Sequence, residues 1–247
     1  MPLYTEELQS LETPIDVMFL MHKVFLLHSD KVGDLAMEAQ SGGDLSDFKI
    51  ALDEWLKHLF YHTLTEDEYM TGPLKDKDKE LQDGRYPLRD NEKEHVDIRE
   101  EGDEIRGHIK EDNSRTLPNI ATSEVLAMEE ENHALVMQRV KEVEEVVRKL
   151  LGPDNVQSQL RRHLYKSVMA LKVAEYDHFE NEEAFVLPLV KEHMTIEQQS
   201  DCVRKLLYED NSEYPRWIYD FIWDNLGNVE RKLLERLGSD IGVELVG

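Results

Sequence analysis

The stretch TSEVLAMEEENHALVMQRVKEVEEVVRKLLGP, residues 122–153, decides the fold class. Its inward candidates Val125, Met128, His133, Val136, Val140, Val143, Val147 and Leu150 recur mostly at three- and four-residue intervals, the period of an amphipathic helix. Thr122 or Ser123 offers an N-cap, and Gly152-Pro153 a stop. The same period continues outward in both directions. Upstream, a helix after Pro14 places Ile15, Met18, Phe19, His22 and Leu26 on one face and runs to the SGGD break at 41–44. A second helix, from about Leu45, turns Phe48, Leu52, Trp55, Leu59, His62 and Glu66 inward until Gly72 and Pro73 stop it. Downstream, a fourth helix from about Val156 carries Leu160, Leu164, Val168, Leu171, Tyr176, His178 and Glu182 to the region of Pro188. Two further helical segments, about Ile196–Tyr208 and Pro215–Leu237, make a tail that contains Trp217 and Trp223. The expectation is an all-α chain. Residues 12–193 form an up-down-up-down four-helix bundle, and 194–247 a helical C-terminal extension packed on it.

Residues 75–117 combine few apolar side chains with dense charge of both signs and read as a solvated insertion between the second and third helices. No chemistry is assigned to its His95 or His108. Composition narrows the function classes. With 29 Lys+Arg against 53 Asp+Glu the net charge is −24, which repels phosphate backbones and anionic lipid and argues against nucleic-acid or membrane partners. One cysteine, Cys202, excludes an internal disulfide and a thiolate metal cluster, so any metal must be held by histidines and carboxylates. The N-terminal MPLYTEELQS has no signal-peptide core, and the apolar runs VMFLM and VFLL are too short to span a bilayer. A cytoplasmic location is expected.

Two helices carry His-x-x-x-Glu, as His62…Glu66 and His178…Glu182. Residues four apart share a face, so each pair can hold a cation between an imidazole and a carboxylate. In so acidic a chain the spacing alone is weak evidence, since such pairs also arise as surface salt bridges. Level adds weight. His22 lies 8 residues after Pro14, His62 11 before Pro73, His133 10 after Ser123 and His178 10 before Pro188. At ~1.5 Å per residue these offsets differ by about one turn, so in an alternating bundle the four histidines reach one layer. Glu66 and Glu182 would then sit between the imidazoles, placed to bridge two cations and leave positions open for water, peroxide or O2. A lone histidine followed by His-x-x-x-Glu occurs twice, at 22 and 62/66 and again at 133 and 178/182. That repeat implies two helical hairpins related by a pseudo-twofold.

FLMHKVF (19–25), HTLTEDEYMTGPL (62–74), EENHAL (130–135) and HFENEEAFVLPLV (178–190) together resemble the hemerythrin-like family, also described as carrying the His-His-Glu cation-binding domain, over about residues 12–193. The resemblance implies a non-heme di-iron centre, with iron ahead of manganese or zinc. His22, His62, His133 and His178 would be its nitrogen ligands, and Glu66 and Glu182 its bridges. It implies reaction with O2 or peroxide in sensing, storage or detoxification. The alternative is a di-iron oxidoreductase acting on a small substrate. The tail after 193 looks similar to extra helices in the hemerythrin modules of iron-sensing ubiquitin ligases. O2-carrying members supply a fifth histidine four residues before the third-helix histidine, and here Glu129 holds that position, either as an additional carboxylate ligand or in water with Glu130 and Glu131.

A ferritin-like reading would use Glu130-x-x-His133 and Glu175-x-x-His178, but these fall on consecutive helices, and the first helix offers His22 where an acid is needed. His58, one turn before His62, is a second-tier ligand candidate whose alternative is the outer surface of its helix beside Lys57 and Tyr61. His28, His163 and His193 are read as surface residues. Tyr69, Tyr165 and Tyr176 are left as core or pocket aromatics.

Overall fold

The structure, a computed structural model, describes residues 11–75, 122–150 and 157–238, and among them every regular element is helical, with no strand. Most of the charged stretch 75–117, with His95 and His108, lies outside the described residues, as do the Gly152-Pro153 stop and the chain after 238.

A 3-10 turn at Pro14–Asp16 opens the fold. Asp16 accepts from the backbone N–H groups of Glu12 and Thr13 and from the Thr13 hydroxyl, and its other oxygen meets Lys191 at 2.5 Å. Helix α1, Val17–Gln40, follows. Only one face of it was expected to be covered, yet Val17, Leu20, Met21, Val24 and Phe25 are buried together with Met18 and His22. The reason is the tail, two of whose helices pack on α1 and cover more of its first half than the bundle alone would, while Leu27, Lys31, Asp34 and Met37 stay exposed. Gly42, at φ +100°, makes the turn after α1, a conformation that a Cβ would disfavour.

Helix α2 spans Ser46–Glu66, α3 Thr122–Leu150 and α4 Gln157–Asn181. Arg161, near the start of α4, donates to the carbonyls of Ala39 and Gly43 at the end of α1, while His22 near the start of α1 meets Glu182 beyond the end of α4. These two helices are therefore antiparallel. His28 beside Ala51 and His22 beside His62 give the same sense for α1 and α2. Glu66 beside His133, with residues 49–56 sharing a groove with residues 144–148, gives it for α2 and α3. The buried series on α3 is Val125, Leu126, Glu129, His133, Val136, Val140, Val143, Val146 and Leu150, so Glu129 takes the inward place expected of Met128.

Gly72 and Pro73 do not stop the second helix. A π turn, Asp67–Thr71, follows α2 directly, and the chain stays helical through 72–75. The second hairpin repeats the device, with a π turn at Glu182–Val186 leading into α5, Leu187–His193, which contains Pro188. Proline cannot donate to the carbonyl four residues back, and a wide turn just upstream absorbs the missing bond. Gly72 suits the first turn because a Cβ there would stand 2.8 Å from the Asp67 carbonyl oxygen.

The tail comprises α6 (Ile196–Leu207), α7 (Trp217–Asn225) and α8 (Asn228–Gly238), so the second expected tail helix is broken at Leu226-Gly227. Helix α6, capped by Thr195 and Gln198, packs on the 3-10 turn, on α2 and on the first π turn. Helices α7 and α8 pack on α1, where Glu230 pairs with Lys23. No helix among the described residues is long and apolar enough to cross a membrane.

Candidate metal centre

The ends of α2 and α4 and the early turns of α1 and α3 bring six of the sequence-derived candidates to one buried layer: His22, His62, Glu66, His133, His178 and Glu182. Glu129 joins them. These seven residues form two sets. His22, His62, Glu66 and Glu182 can each offer one ligand atom within 4.8 Å of the others, and so can Glu66, Glu129, His133 and His178. Glu66 is common to both. Its Oε1 lies 2.8 Å from His62 Nε2, and its Oε2 3.3 Å from His133 Nε2 and 3.7 Å from His178 Nε2. Glu182 Oε2 is 3.2 Å from His22 Nε2 and 4.0 Å from His178 Nε2. Glu129 Oε1 is 2.9 Å from His133 Nε2 and 3.2 Å from His178 Nδ1.

Although close, these atoms are poorly aligned as donor and acceptor. Both oxygens of Glu66, Glu129 and Glu182, both ring nitrogens of His62 and His178, and Nε2 of His22 and of His133 are buried without a hydrogen-bond partner. Burying these groups unpaired would cost about 1–3 kcal/mol each, a sum comparable to the whole stability of a domain, so the cluster needs protons or a cation among them. Atoms that converge without aligning as donor and acceptor suit a shared cation. Four imidazoles and three carboxylates, with no thiolate, fit a borderline divalent metal such as iron, manganese or zinc.

Two further carboxylates hold the lone histidines. Asp67 Oδ1 lies 3.0 Å from His133 Nδ1, and Glu183 Oε1 lies 2.9 Å from His22 Nδ1. With Nδ1–H donated outward, Nε2 is the free nitrogen, and it is the one facing the centre. The arrangement is reciprocal, because the acid following the first motif's Glu66 holds the second hairpin's histidine and the acid following Glu182 holds the first hairpin's. Phe179 stacks on His22 at 4.1 Å and meets His62 edge-on, and Phe25 packs on His62 at 5.0 Å, so apolar rings seal this side.

Burial opposes charge on every group here and mutual attraction favours it. Burial lowers the His22 pKa, but Glu182 and Glu183 outweigh it and hold it at about 10. Burial is likewise outweighed at His178, mainly by Glu129, which lifts it to about 9. Burial raises Glu182, and the neighbouring Glu66 charge adds to this, so its carboxyl is pushed well up. Glu129 goes the other way, its burial overcome by His178 and His133. Protons on His22 and His178 thus offset part of the carboxylate charge, and a cation that enters must displace them.

His58 is a correction to the sequence reading, being neither at the outer surface nor in either ligand set. It is buried beneath α7, its ring 4.7 Å from Trp217 and 3.8 Å from Phe221, and burial pushes its pKa down to about 3. His28, also expected at the surface, is buried with Nε2 3.0 Å from the Ala51 carbonyl. His163 is exposed as expected, and His193 is half-buried. Glu175, from the ferritin-like motif, is fully buried one turn before His178 and accepts a 2.6 Å bond from Trp55 Nε1, outside both sets. Its partner Glu130 points outward and pairs with Lys75.

Two grooves among the described residues bear on the site. The larger, about 710 Å³, runs between α2 and α3 past Lys49, Leu56 and Arg148 and touches no candidate ligand. The smaller, about 430 Å³, lies between the first π turn and α6, with Tyr69, Met194, Asp201 and Cys202 in its walls. Size does not identify the chemistry here, since the converging ligands lie away from the larger groove. Comparison of the chain with family models, with curated proteins and with solved structures finds no match.

Proposed function

We propose that the chain is a hemerythrin-like protein whose helices α1 to α4 form an up-down-up-down bundle around two iron ions, and that it reacts with O2 or peroxide in sensing, storage or detoxification. The observation that carries this reading is the pair of four-ligand sets sharing Glu66, buried and unpartnered. The antiparallel pairings support the bundle. The packing of α6 to α8 on α1 and α2 supports a C-terminal extension that belongs with it. Bound iron would supply redox chemistry and open coordination positions. The chain's own residues do the rest. Four imidazoles and three carboxylates set charge and geometry. Asp67 and Glu183 fix the tautomers of His133 and His22, and Phe25 and Phe179 exclude water from one side.

Glu129 shapes the reactivity. It stands where oxygen carriers have a fifth histidine, and it is buried within 3.2 Å of two candidate ligands. Three carboxylates favour ferric over ferrous iron, so the reduced protein is expected to be oxidised by O2 rather than to carry it. Anaerobic reduction, oxygen exposure and argon purging test this. Ferric absorption that persists after purging supports the reading. Absorption that bleaches on purging and returns over repeated cycles makes the protein a carrier and refutes this role for Glu129.

A further inference from the structure

The smaller groove adjoins the candidate centre from the side of the tail. Tyr69 and Pro73 in its wall belong to the segment just after Glu66, while Cys202 lies in the middle of α6 and Met194 directly follows α5. Cys202 is a buried member of the groove lining. Its helix, α6, packs on α2 and on the π turn that follows Glu66, where the Tyr61 hydroxyl donates to the Lys205 carbonyl at 2.8 Å and the Lys205 ammonium lies over the Tyr69 ring. Phe25 and Phe179 cover His62 and His22, Glu183 and Asp67 hold the outer nitrogens of His22 and His133, and the larger groove lies elsewhere.

We propose that this groove is the route by which a small uncharged oxidant, dioxygen or hydrogen peroxide, reaches the candidate centre across a floor made by Met194 and Cys202. The inference rests on the proposed function above. The lining supports that class of visitor. Two sulfur side chains offer a soft, weakly polar surface that strips little water from a neutral molecule, whereas an ion crossing it would lose its hydration without a partner. The cations at the rim do not turn it into an anion site, since Arg204 and Lys205 are both bonded to Asp210, with Arg204 bidentate at 2.7 and 3.0 Å. Asp201 at the same rim adds a negative charge that further disfavours anions.

The test uses the full chain in two states. In the metal-free protein, labelling of Cys202 by uncharged methyl methanethiosulfonate, followed by mass spectrometry, reads how open the groove is. In the ferrous-loaded protein, stopped-flow absorbance reads oxidation by O2 and by peroxide. Asp201→Trp, at an exposed rim position, should slow both by about an order of magnitude at unchanged iron content. Cys202→Ala, which widens the floor, should speed oxidation, and Asp53→Trp in the larger groove should change neither. Oxidation that proceeds at the parental rate in an Asp201→Trp protein whose thiol is blocked overturns the route, as does a thiol labelled equally in parent and variant, or oxidation unchanged by Cys202→Ala. A chain that takes up no iron overturns the proposed function and this route together, whereas one that binds iron and fails the variant comparison overturns the route alone.

Discussion

Replacing Asp67 by Asn or Glu183 by Gln should weaken one metal position and spare the other. Each carboxylate accepts from the Nδ1–H of a lone histidine, Asp67 from His133 at 3.0 Å and Glu183 from His22 at 2.9 Å, and neither belongs to a ligand set. The amide oxygen can still accept, so the ring keeps its place, but the charge that makes the imidazole a better donor to metal is gone. Loss of such a partner lowers metal affinity by about 10- to 100-fold, or ~1.4–2.7 kcal/mol. Solvent moderates this. The Asp67 side chain is 48% exposed and that of Glu183 31%, so both effects should lie near the lower end, about tenfold, with Glu183→Gln the larger. Asp67→Asn acts through His133 on the set of Glu66, Glu129, His133 and His178, and Glu183→Gln acts through His22 on the other set. Anaerobic calorimetric titration with ferrous or cobaltous ion should show one of two binding steps weakened in each single variant and both in the double. Equal weakening of both steps by each single substitution, or no change, would refute the assignment of these acids to separate positions.

His62→Ala or His178→Ala should lower both metal content and melting temperature, because binding to the native state is linked to folding, whereas His108→Ala from the charged stretch should do neither; equal loss of metal in all three would remove the distinction. Glu175 supplies a pH test. Burial raises its pKa from 4.5 to about 7, despite the Trp55 bond that opposes this. The folded state therefore holds a proton that the unfolded state has lost between those values, so stability falls as pH rises from 4.5 to about 7, and the penalty is complete above it. Glu175→Gln keeps an acceptor for Trp55 and should stabilise the metal-free protein by up to about 3 kcal/mol above pH 7, with little gain at pH 4. Chemical denaturation across this range checks it, and a gain independent of pH would contradict it.

The convergence of the candidate ligands was legible because residues four apart share a helix face. His62 with Glu66, His178 with Glu182, and the levels of His22 and His133 needed only the helical period and the positions of Pro and Gly. The position of Glu129 was legible, but its burial was not, since it opens a run of three acids and only packing against α4 decides which of them faces inward. Asp67 and Glu183 left a signal that went unread, an acid directly after the glutamate of each motif. The π turns were hidden by the usual meaning of Gly-Pro at 72–73, and of Pro188, as a stop. His58 and His28 were misplaced for a different reason. Their burial depends on α7 lying against α1 and α2, and a local pattern carries no information about which face a distant helix will cover.

The number of irons held per folded chain after anaerobic reconstitution and removal of loosely held metal checks the dinuclear assignment. Two ligand sets sharing Glu66 require a value of two, falling in Glu66→Ala because that one side chain serves both positions. A value of one, a value of zero, or two irons retained undiminished without Glu66 would contradict the account.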